Sequence, residues 1–152
     1  MSQPTAAPLP SNPYNPFAWI AGNPQIGEGC WIGAFTLIDG QGGLAIGRGC
    51  DISCGAQILT HSTVRRCLTG RAHNVVDRRP TEIGDHVFIG THAVILMGAK
   101  IGHHCVIAAG AVVLEDTEIP PYSLVAGVPA RVVRSIRDEV EQWKQQAIAG
   151  TV

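Results

Sequence analysis

An aliphatic, mostly β-branched residue returns at every sixth position along most of this chain. The register runs Ile26, Ile32, Ile38, then after a slip of two residues Ile46, Ile52, Ile58 and Val64. After a longer break it resumes as Ile83, Ile89, Ile95, Ile101, Ile107, Val113, Ile119 and Val125. A helix repeats every 3.6 residues and an amphipathic strand every 2, so neither alone gives a period of six. Short β-segments separated by turns do, if each aliphatic residue points inward and stacks on its counterpart one coil away. The pattern therefore predicts an all-β solenoid.

Two other places of the repeat support this. Gly follows the aliphatic residue at Gly27, Gly33, Gly47, Gly84, Gly90 and Gly102, and the fifth place is small, as at Cys30, Thr36, Cys50, Ala56, Ser62, Ala93, Ala99, Cys105 and Ala111. The fourth place holds Gly29, Gly49, Gly55, His61, His86, His92, Gly98, His104, Gly110 and Asp116. Those types are enriched in left-handed backbone, as a tight corner requires. Most of the histidines thus have an architectural explanation before any chemical one.

The ends differ from the middle. Residues 1–24 are rich in Pro and Asn and read as a poorly ordered arm, residues 25–130 as the solenoid domain, and residues 131–152 as a C-terminal cap. In the last segment Ile136, Val140, Trp143 and Ala147 follow Ser135, Asp138 and Glu139 at helical spacing, predicting a short helix over the open last coil. Residues 1–24 show no basic n-region with an apolar stretch, and no segment of the sequence approaches the roughly 20 apolar residues of a membrane span. The expected setting is cytoplasmic, away from membranes. A net charge of −1 and a pI near 6.6 give no pull toward nucleic acid, which leaves a small-molecule partner. Five cysteines without a CxxC pair argue against a disulfide framework or a zinc knuckle.

Candidate chemistry gathers at the break in the register. The stretch of about 65–82 holds Arg65, Arg66, Arg71, Arg78 and Arg79, most of the arginines of the chain. A loop thrown out of a regular prism is a natural functional element. Its arginines either pair with Asp77 and Glu82 or recognise an anion; Arg65, Arg66 and Arg71 are the candidate acceptor-binding residues. His61 stands at the root of this loop. It reads as one more corner residue or as a general base. Cys30, Cys50 and Cys105 occupy the packed place of the repeat, while Cys54 and Cys67 have no assigned role.

With the repeat from Ile26 to about Ala130, the chain resembles the hexapeptide-repeat acyltransferases. The resemblance implies a left-handed parallel β-helix with three repeats per coil, assembled as a homotrimer with active sites between subunits. The segment Pro80-Thr81-Glu82-Ile83-Gly84-Asp85-His86-Val87-Phe88-Ile89-Gly90, preceded by a histidine and a protruding loop, is similar to the maltose and galactoside O-acetyltransferase group. That likeness places the catalytic base at His61. It implies acetyl-CoA as acyl donor, bound through Gly90, Thr91, Ala109, Leu114, Glu115, Arg131 and Arg134, with no metal. Arg131 and Arg134 suit CoA phosphates. Glu115 departs from the family, which commonly has lysine there.

The expected reaction is direct attack of an acceptor hydroxyl or amine on the thioester, His61 taking the proton. A backbone N–H near Gly90 is a candidate donor to the oxyanion. The Arg-rich loop suggests an anionic acceptor such as a nucleotide-activated sugar. Two alternatives stay open: a γ-type carbonic anhydrase-like zinc enzyme, whose ligand places here hold Thr91 and Leu96, and a non-catalytic β-helix scaffold.

Overall fold

The computed structural model describes residues 8–150. Five coils follow one another. The first contains β1 (Trp19–Gly22), β2 (Gln25–Ile26) and β3 (Trp31–Ile32); the second β4 (Leu37–Gly40), β5 (Leu44–Ile46) and β6 (Asp51–Ile52). The third begins with β7 (Gln57–Ile58), departs through β8 (His61–Ser62), α1 (Val64–Leu68) and β9 (Asp77–Arg78), and resumes with β10 (Thr81–Ile83) and β11 (Phe88–Ile89). The fourth contains β12 (Val94–Ile95), β13 (Lys100–Ile101) and β14 (Val106–Ile107). The fifth contains β15 (Val112–Val113), β16 (Glu118–Ile119) and β17 (Ser123–Ala126), followed by β18 (Arg131–Ser135) and α2 (Arg137–Ile148).

Each coil gives one short strand to each of three parallel sheets. Sheet one is β1-β4-β7-β12-β15, sheet two β2-β5-β10-β13-β16, and sheet three β3-β6-β11-β14-β17. The inward residues stack as three columns: Ile20-Ile38-Ile58-Ile95-Val113, Ile26-Ile46-Ile83-Ile101-Ile119, and Ile32-Ile52-Ile89-Ile107-Val125. Most of these side chains are fully buried. Burying each contributes about 1.5–3 kcal/mol, so the columns are the main driving force of the fold. This is the parallel β-helix of hexapeptide repeats expected from the sequence, with its protruding loop and short C-terminal helix.

Three corners separate the sheets: the first between sheets one and two, the second between two and three, the third between three and one. His86, His92, His104 and Asp116 have φ of 55–58°, and Gly29, Gly49, Gly55, Gly98 and Gly110 are also left-handed, as the fourth place predicts. Phe35 and Tyr122 take the same conformation. His61 does not. It lies in β8, so the corner explanation of that residue fails.

Three other expectations are corrected. Val64 is outside the columns: it begins α1 and is exposed, while Ile20 fills the corresponding inward role in the first coil. The arm ends earlier than residue 24, because β1 pairs with β4 and an Asn12-centred turn leads Ala18 into the core; residues 1–7 lie outside the described residues. The cap is a strand rather than the helix. After the turn at Gly127 and the cis Val128–Pro129 bond, β18 runs back antiparallel on β17 and covers the edge of sheet three. No residue within α2 is buried; the helix is anchored by Ile136 just before it and by Arg137, whose guanidinium lies 4.1 Å from the centroid of the Tyr122 ring.

Coils stack so closely that several corners tolerate no side chain. A Cβ on Gly84 would lie 2.6 Å from the backbone nitrogen of His103. Ile95→Ala should therefore cost about 2–5 kcal/mol through an unfilled cavity. Gly84→Ala should cost about 1–3 kcal/mol through overpacking, although its φ is ordinary. Chemical denaturation measures both, and an unaffected Gly84→Ala midpoint would contradict the close-stacking argument.

Candidate active site

The regular prism is interrupted twice at the first corner, and the two interruptions meet. In the second coil the residues Gln41-Gly42-Gly43 are the slip in the six-residue register. One coil later the chain leaves the prism after Thr60 and returns at Pro80. Between them lies Asp39, which follows inward Ile38 and is 1 % exposed. A buried carboxylate without partners would be costly. Asp39 has several. Its Oδ1 accepts from the Gln41 N–H at 2.9 Å, and its Oδ2 accepts from the Thr60 N–H at 3.0 Å and lies 3.0 Å from the Thr60 hydroxyl.

The remaining partner is His61, whose Nδ1 lies 2.5 Å from Asp39 Oδ2. Burial alone would push the Asp39 carboxyl up; hydrogen bonds from the Thr60 and Gln41 backbones, from His61 and from the Thr60 hydroxyl outweigh it and hold the group below the usual carboxylate range. Asp39 is thus ionised and can only accept, which makes Nδ1 of His61 the donor and leaves the lone pair on Nε2. The His61 side chain keeps 33 % exposure, enough to meet a substrate.

The loop is closed at its root by the two-residue antiparallel ladder β8–β9, with His61 opposite Arg78 and Ser62 opposite Asp77. Arg65 binds Asp77 through both Nε, at 3.0 Å, and Nη2. That guanidinium holds the Asp77 carboxyl below its ordinary value. Arg79 pairs with Glu115 and, at 2.9 Å, with Asp116. A cleft of about 540 Å³ opens here, lined by Ser62, Val64, Arg65, Asp77, Arg78, Arg79, Met97 and Glu115. A larger hollow, about 1050 Å³, runs along the outer face of sheet two and includes none of these residues; His61 lines neither, but its neighbour Ser62 and its ladder partner Arg78 line the smaller one. Size does not mark the site; convergent polar groups do.

Of the acceptor-binding residues expected from sequence, Arg65 lines the cleft, whereas Arg66 and Arg71 do not. Arg78 and Arg79 line it as well. Of the loop arginines Arg65 does pair with Asp77, as one reading of the sequence had it, but Arg79 pairs with Glu115 and Asp116, and among the described residues Glu82 takes no part. Among the residues expected to hold acetyl-CoA, Leu114 and Glu115 share the first corner with His61. Gly90, Thr91 and Ala109 form the third corner: Gly110 N–H donates to the Thr91 carbonyl at 2.9 Å, and a Cβ on Gly90 would lie 2.5 Å from the Ala109 nitrogen. One chain therefore does not bring Gly90, Thr91 and Ala109 to His61. Arg131 lies at the start of β18, and Arg134 is held by Glu139 at 2.6 and 2.7 Å.

Cys50 and Cys105 are poorly placed for nucleophilic work. Burial pushes the Cys50 thiol up to about 11 and raises that of Cys105, and each thiol donates to a carbonyl of a neighbouring coil, Gly84 for Cys50 and Pro120 for Cys105. Cys54 and Cys67 are exposed. His86 and His92 stand at different corners, and among the described residues no group of three or more His, Cys, Asp or Glu is arranged to hold a metal. No helix among those residues is long and apolar enough to cross a membrane.

Asp39 is the residue of this arrangement that the sequence did not single out. Two signals marked it: the slip in register one coil before His61, and an acidic residue at a place where later coils carry Leu59, Leu96 and Leu114.

Folded Asp39 binds fewer protons than unfolded Asp39 in mild acid. Its stabilising contribution is present above the ordinary carboxyl pKa of about 4 and is lost as pH falls through its lower folded value. Asp39→Asn should flatten the acid limb of urea midpoint against pH. An unchanged slope would assign the acid sensitivity to other carboxyls such as Asp77.

Comparison with known proteins agrees with this architecture. The bacterial transferase hexapeptide model (six repeats) matches residues 80–115. The 2,3,4,5-tetrahydropyridine-2,6-dicarboxylate N-acetyltransferase of Lacticaseibacillus casei (strain BL23) is 54 % identical over 63 residues, covering 41 % of this chain and 26 % of that protein. Galactoside O-acetyltransferase of Escherichia coli K12 is 32 % identical over 99 residues, covering 60 % and 48 %. The chain thus spans between about a quarter and a half of the length of these curated relatives. Among solved structures, a hexapeptide-repeat-containing acetyltransferase from Vibrio cholerae O1 biovar eltor, complexed with acetyl coenzyme A, superposes with a TM-score of 0.65 at 32 % identity, covering 76 % of this chain and 64 % of that one. Repeat, solenoid and relatives agree: the chain carries the bacterial transferase hexapeptide repeat and is similar in sequence and fold to hexapeptide-repeat acetyltransferases.

Proposed function

We propose that this protein is an acetyl-CoA-dependent acetyltransferase in which His61 is the general base and Asp39 its positioning partner. The observation that carries the reading is the Nδ1 contact of His61 with a buried, ionised Asp39, at the root of an arginine-lined cleft. Anchored in this way, the imidazole presents Nε2 as the acceptor of a proton. The acceptor hydroxyl or amine bonds to the thioester carbonyl carbon as its proton passes to Nε2. Collapse of the tetrahedral intermediate breaks the C–S bond, and the proton returns from His61 to the departing CoA thiolate.

No acyl-enzyme is required, in keeping with the protonated state of buried Cys50. The Vibrio cholerae structure holds acetyl coenzyme A, which supports the donor assignment. Gly90, Thr91 and Ala109 stand at a different corner from His61, so the complete site needs the third corner of a neighbouring chain. A homotrimer with shared sites meets that need. A cytoplasmic setting, where thiols stay reduced, suits the free cysteines.

The acceptor is a sugar or nucleotide-activated sugar. The cleft is more nearly charge-balanced than its arginine count suggests, because Arg65 and Arg79 are ion-paired. Arg78 lines it and forms no ion pair among the described residues; it is the cation assigned to a phosphate or carboxylate of the acceptor.

Acceptor-dependent CoA release should be measured over a panel of sugars and nucleotide sugars. His61→Ala should bind acetyl-CoA yet turn over about 10²–10⁴-fold more slowly. A wild-type protein that does not bind acetyl-CoA would remove the enzymatic reading and leave a scaffold. In the same assay Arg78→Gln should weaken an anionic acceptor about tenfold, the loss of a charge-assisted hydrogen bond, and leave acetyl-CoA binding unchanged. Equal loss for neutral and anionic acceptors would contradict that role.

A further inference from the structure

The two-residue β8–β9 ladder that carries His61 is too short to hold itself. Isolated two-stranded pairs are marginal in water, and here the strands enclose a loop from Thr63 to Val76 with a single short helix in it. Something else must fix the returning leg. We infer that Arg79 is a positioning residue for His61: it latches the exit of the loop onto the fifth coil and so keeps the Thr60-Asp39-His61 chain in register. Only the consequence of this latch for turnover rests on the acyl-transfer reading.

From Arg79 the contacts run in two directions. Toward the active site, its backbone N–H donates to the Thr60 carbonyl at 3.1 Å. The N–H of Thr60 donates in turn to Asp39 Oδ2, the same oxygen that receives Nδ1 of His61. A displacement of the Arg79 backbone is therefore passed through one residue to the carboxylate that sets the imidazole. Arg78, the neighbour of Arg79, pairs directly opposite His61.

Away from the site, the guanidinium crosses the whole fourth coil. It meets Glu115 through Nη2 and Asp116 through Nη1, the latter at 2.9 Å. The crossing is possible because the intervening corner is Gly98, where a Cβ would lie 2.1 Å from Asp116 Oδ1. Asp116 has a φ of 57° and its N–H is tied to the Met97 carbonyl at 3.2 Å, which brings its carboxylate down over Gly98. Two adjacent carboxylates at one corner repel each other unless a cation lies between them. Arg79 is that cation.

All three side chains remain 40–56 % exposed, so the pairs are screened and contribute little to global stability. Their effect is local. A planar fork that engages two carboxylates at once fixes direction as well as distance, which an ammonium does not. Lysine at this position should restore only part of the function.

The test compares Arg79→Gln, Arg79→Lys and the pair Glu115→Gln/Asp116→Asn in the full-length protein, by 15N NMR of the His61 ring and by steady-state kinetics. In the wild type His61 should be the Nδ1-H tautomer. Arg79→Gln and the Glu115→Gln/Asp116→Asn pair should each shift the ring toward a mixture of tautomers and lower kcat by about ten- to a hundredfold, the usual cost of a small misplacement, and for Arg79→Gln, which is outside the expected acetyl-CoA contacts, the KM for acetyl-CoA should change by less than about twofold. Arg79→Lys should fall between these variants and wild type. Combining Arg79→Gln with the carboxylate pair should do no further harm, because both remove one interaction. Unchanged His61 resonances in folded Arg79→Gln, or losses that multiply in the combined variant, would overturn the latch. If Arg79→Gln does not fold, the carboxylate pair gives the same readout from the other side. A wild-type protein with the ordered tautomer and no acyl transfer would overturn the acyl-transfer reading and leave the latch standing.

Discussion

The close vertical stacking of the coils governs everything else in this molecule. Parallel strands lie about 4.8 Å apart, and a chain that climbs by one strand spacing per turn must keep its corners almost free of bulk. Corners therefore carry Gly, or residues that accept a left-handed backbone at a cost of about 1–2 kcal/mol each, such as His86, His92 and His104. The three columns of Ile and Val repay that cost. An interior so regular offers no cavity for chemistry, and function can enter only where the stacking is relaxed. That happens at the first corner, in two consecutive coils.

There the slip at Gln41-Gly42-Gly43 and the loop between Thr60 and Pro80 replace two ordinary corners by a polar arrangement. Gly42 is held against the Thr60 hydroxyl by an N–H donating at 2.8 Å, and Asp39 is enclosed beneath. Burying a carboxylate opposes folding, yet each donor around Asp39 comes from the same relaxed corner, so the departure from regularity supplies its own compensation. The product is an imidazole of defined tautomer at the edge of a cleft. In the proposed mechanism the half-exposed Arg79 pairs and the buried dyad do different work: the first set geometry at little gain in stability, while the second sets the proton-accepting atom.

Much of this was legible in the sequence because the period of six is enforced by packing at every coil. Fourteen of the fifteen column residues follow directly from the repeat, and the left-handed corners follow from the fourth place. The exceptions are instructive. Val64 keeps the spacing but starts α1, since spacing alone does not distinguish the last residue of a coil from the first of a loop. Ile20 was obscured by its Pro-rich surroundings, although β1 pairs fully with β4. The capping strand β18 has no burial pattern, all five residues being exposed, so nothing in its hydrophobicity announced it. His61 was visible through its position before the loop, whereas Asp39 was marked only by the register slip and by an acid in a leucine place, and its contact with His61 joins residues 22 apart. The partners of Arg79 lie farther still, across two coils.

The arrangement of corners makes the central claim accessible to one measurement. Acyl transfer is assigned to a site shared between chains, with His61 from one and the Gly90-Thr91-Ala109 corner from the next. His61→Ala and Ala109→Trp chains, each inactive alone, should be unfolded together, reassembled in equal amounts and assayed for acceptor-dependent CoA release. Random trimers should recover about one quarter of wild-type activity, since a quarter of the sites then join an intact His61 to an intact third corner. Activity no greater than the sum of the separate variants would contradict a shared site and return the chemistry to a single chain.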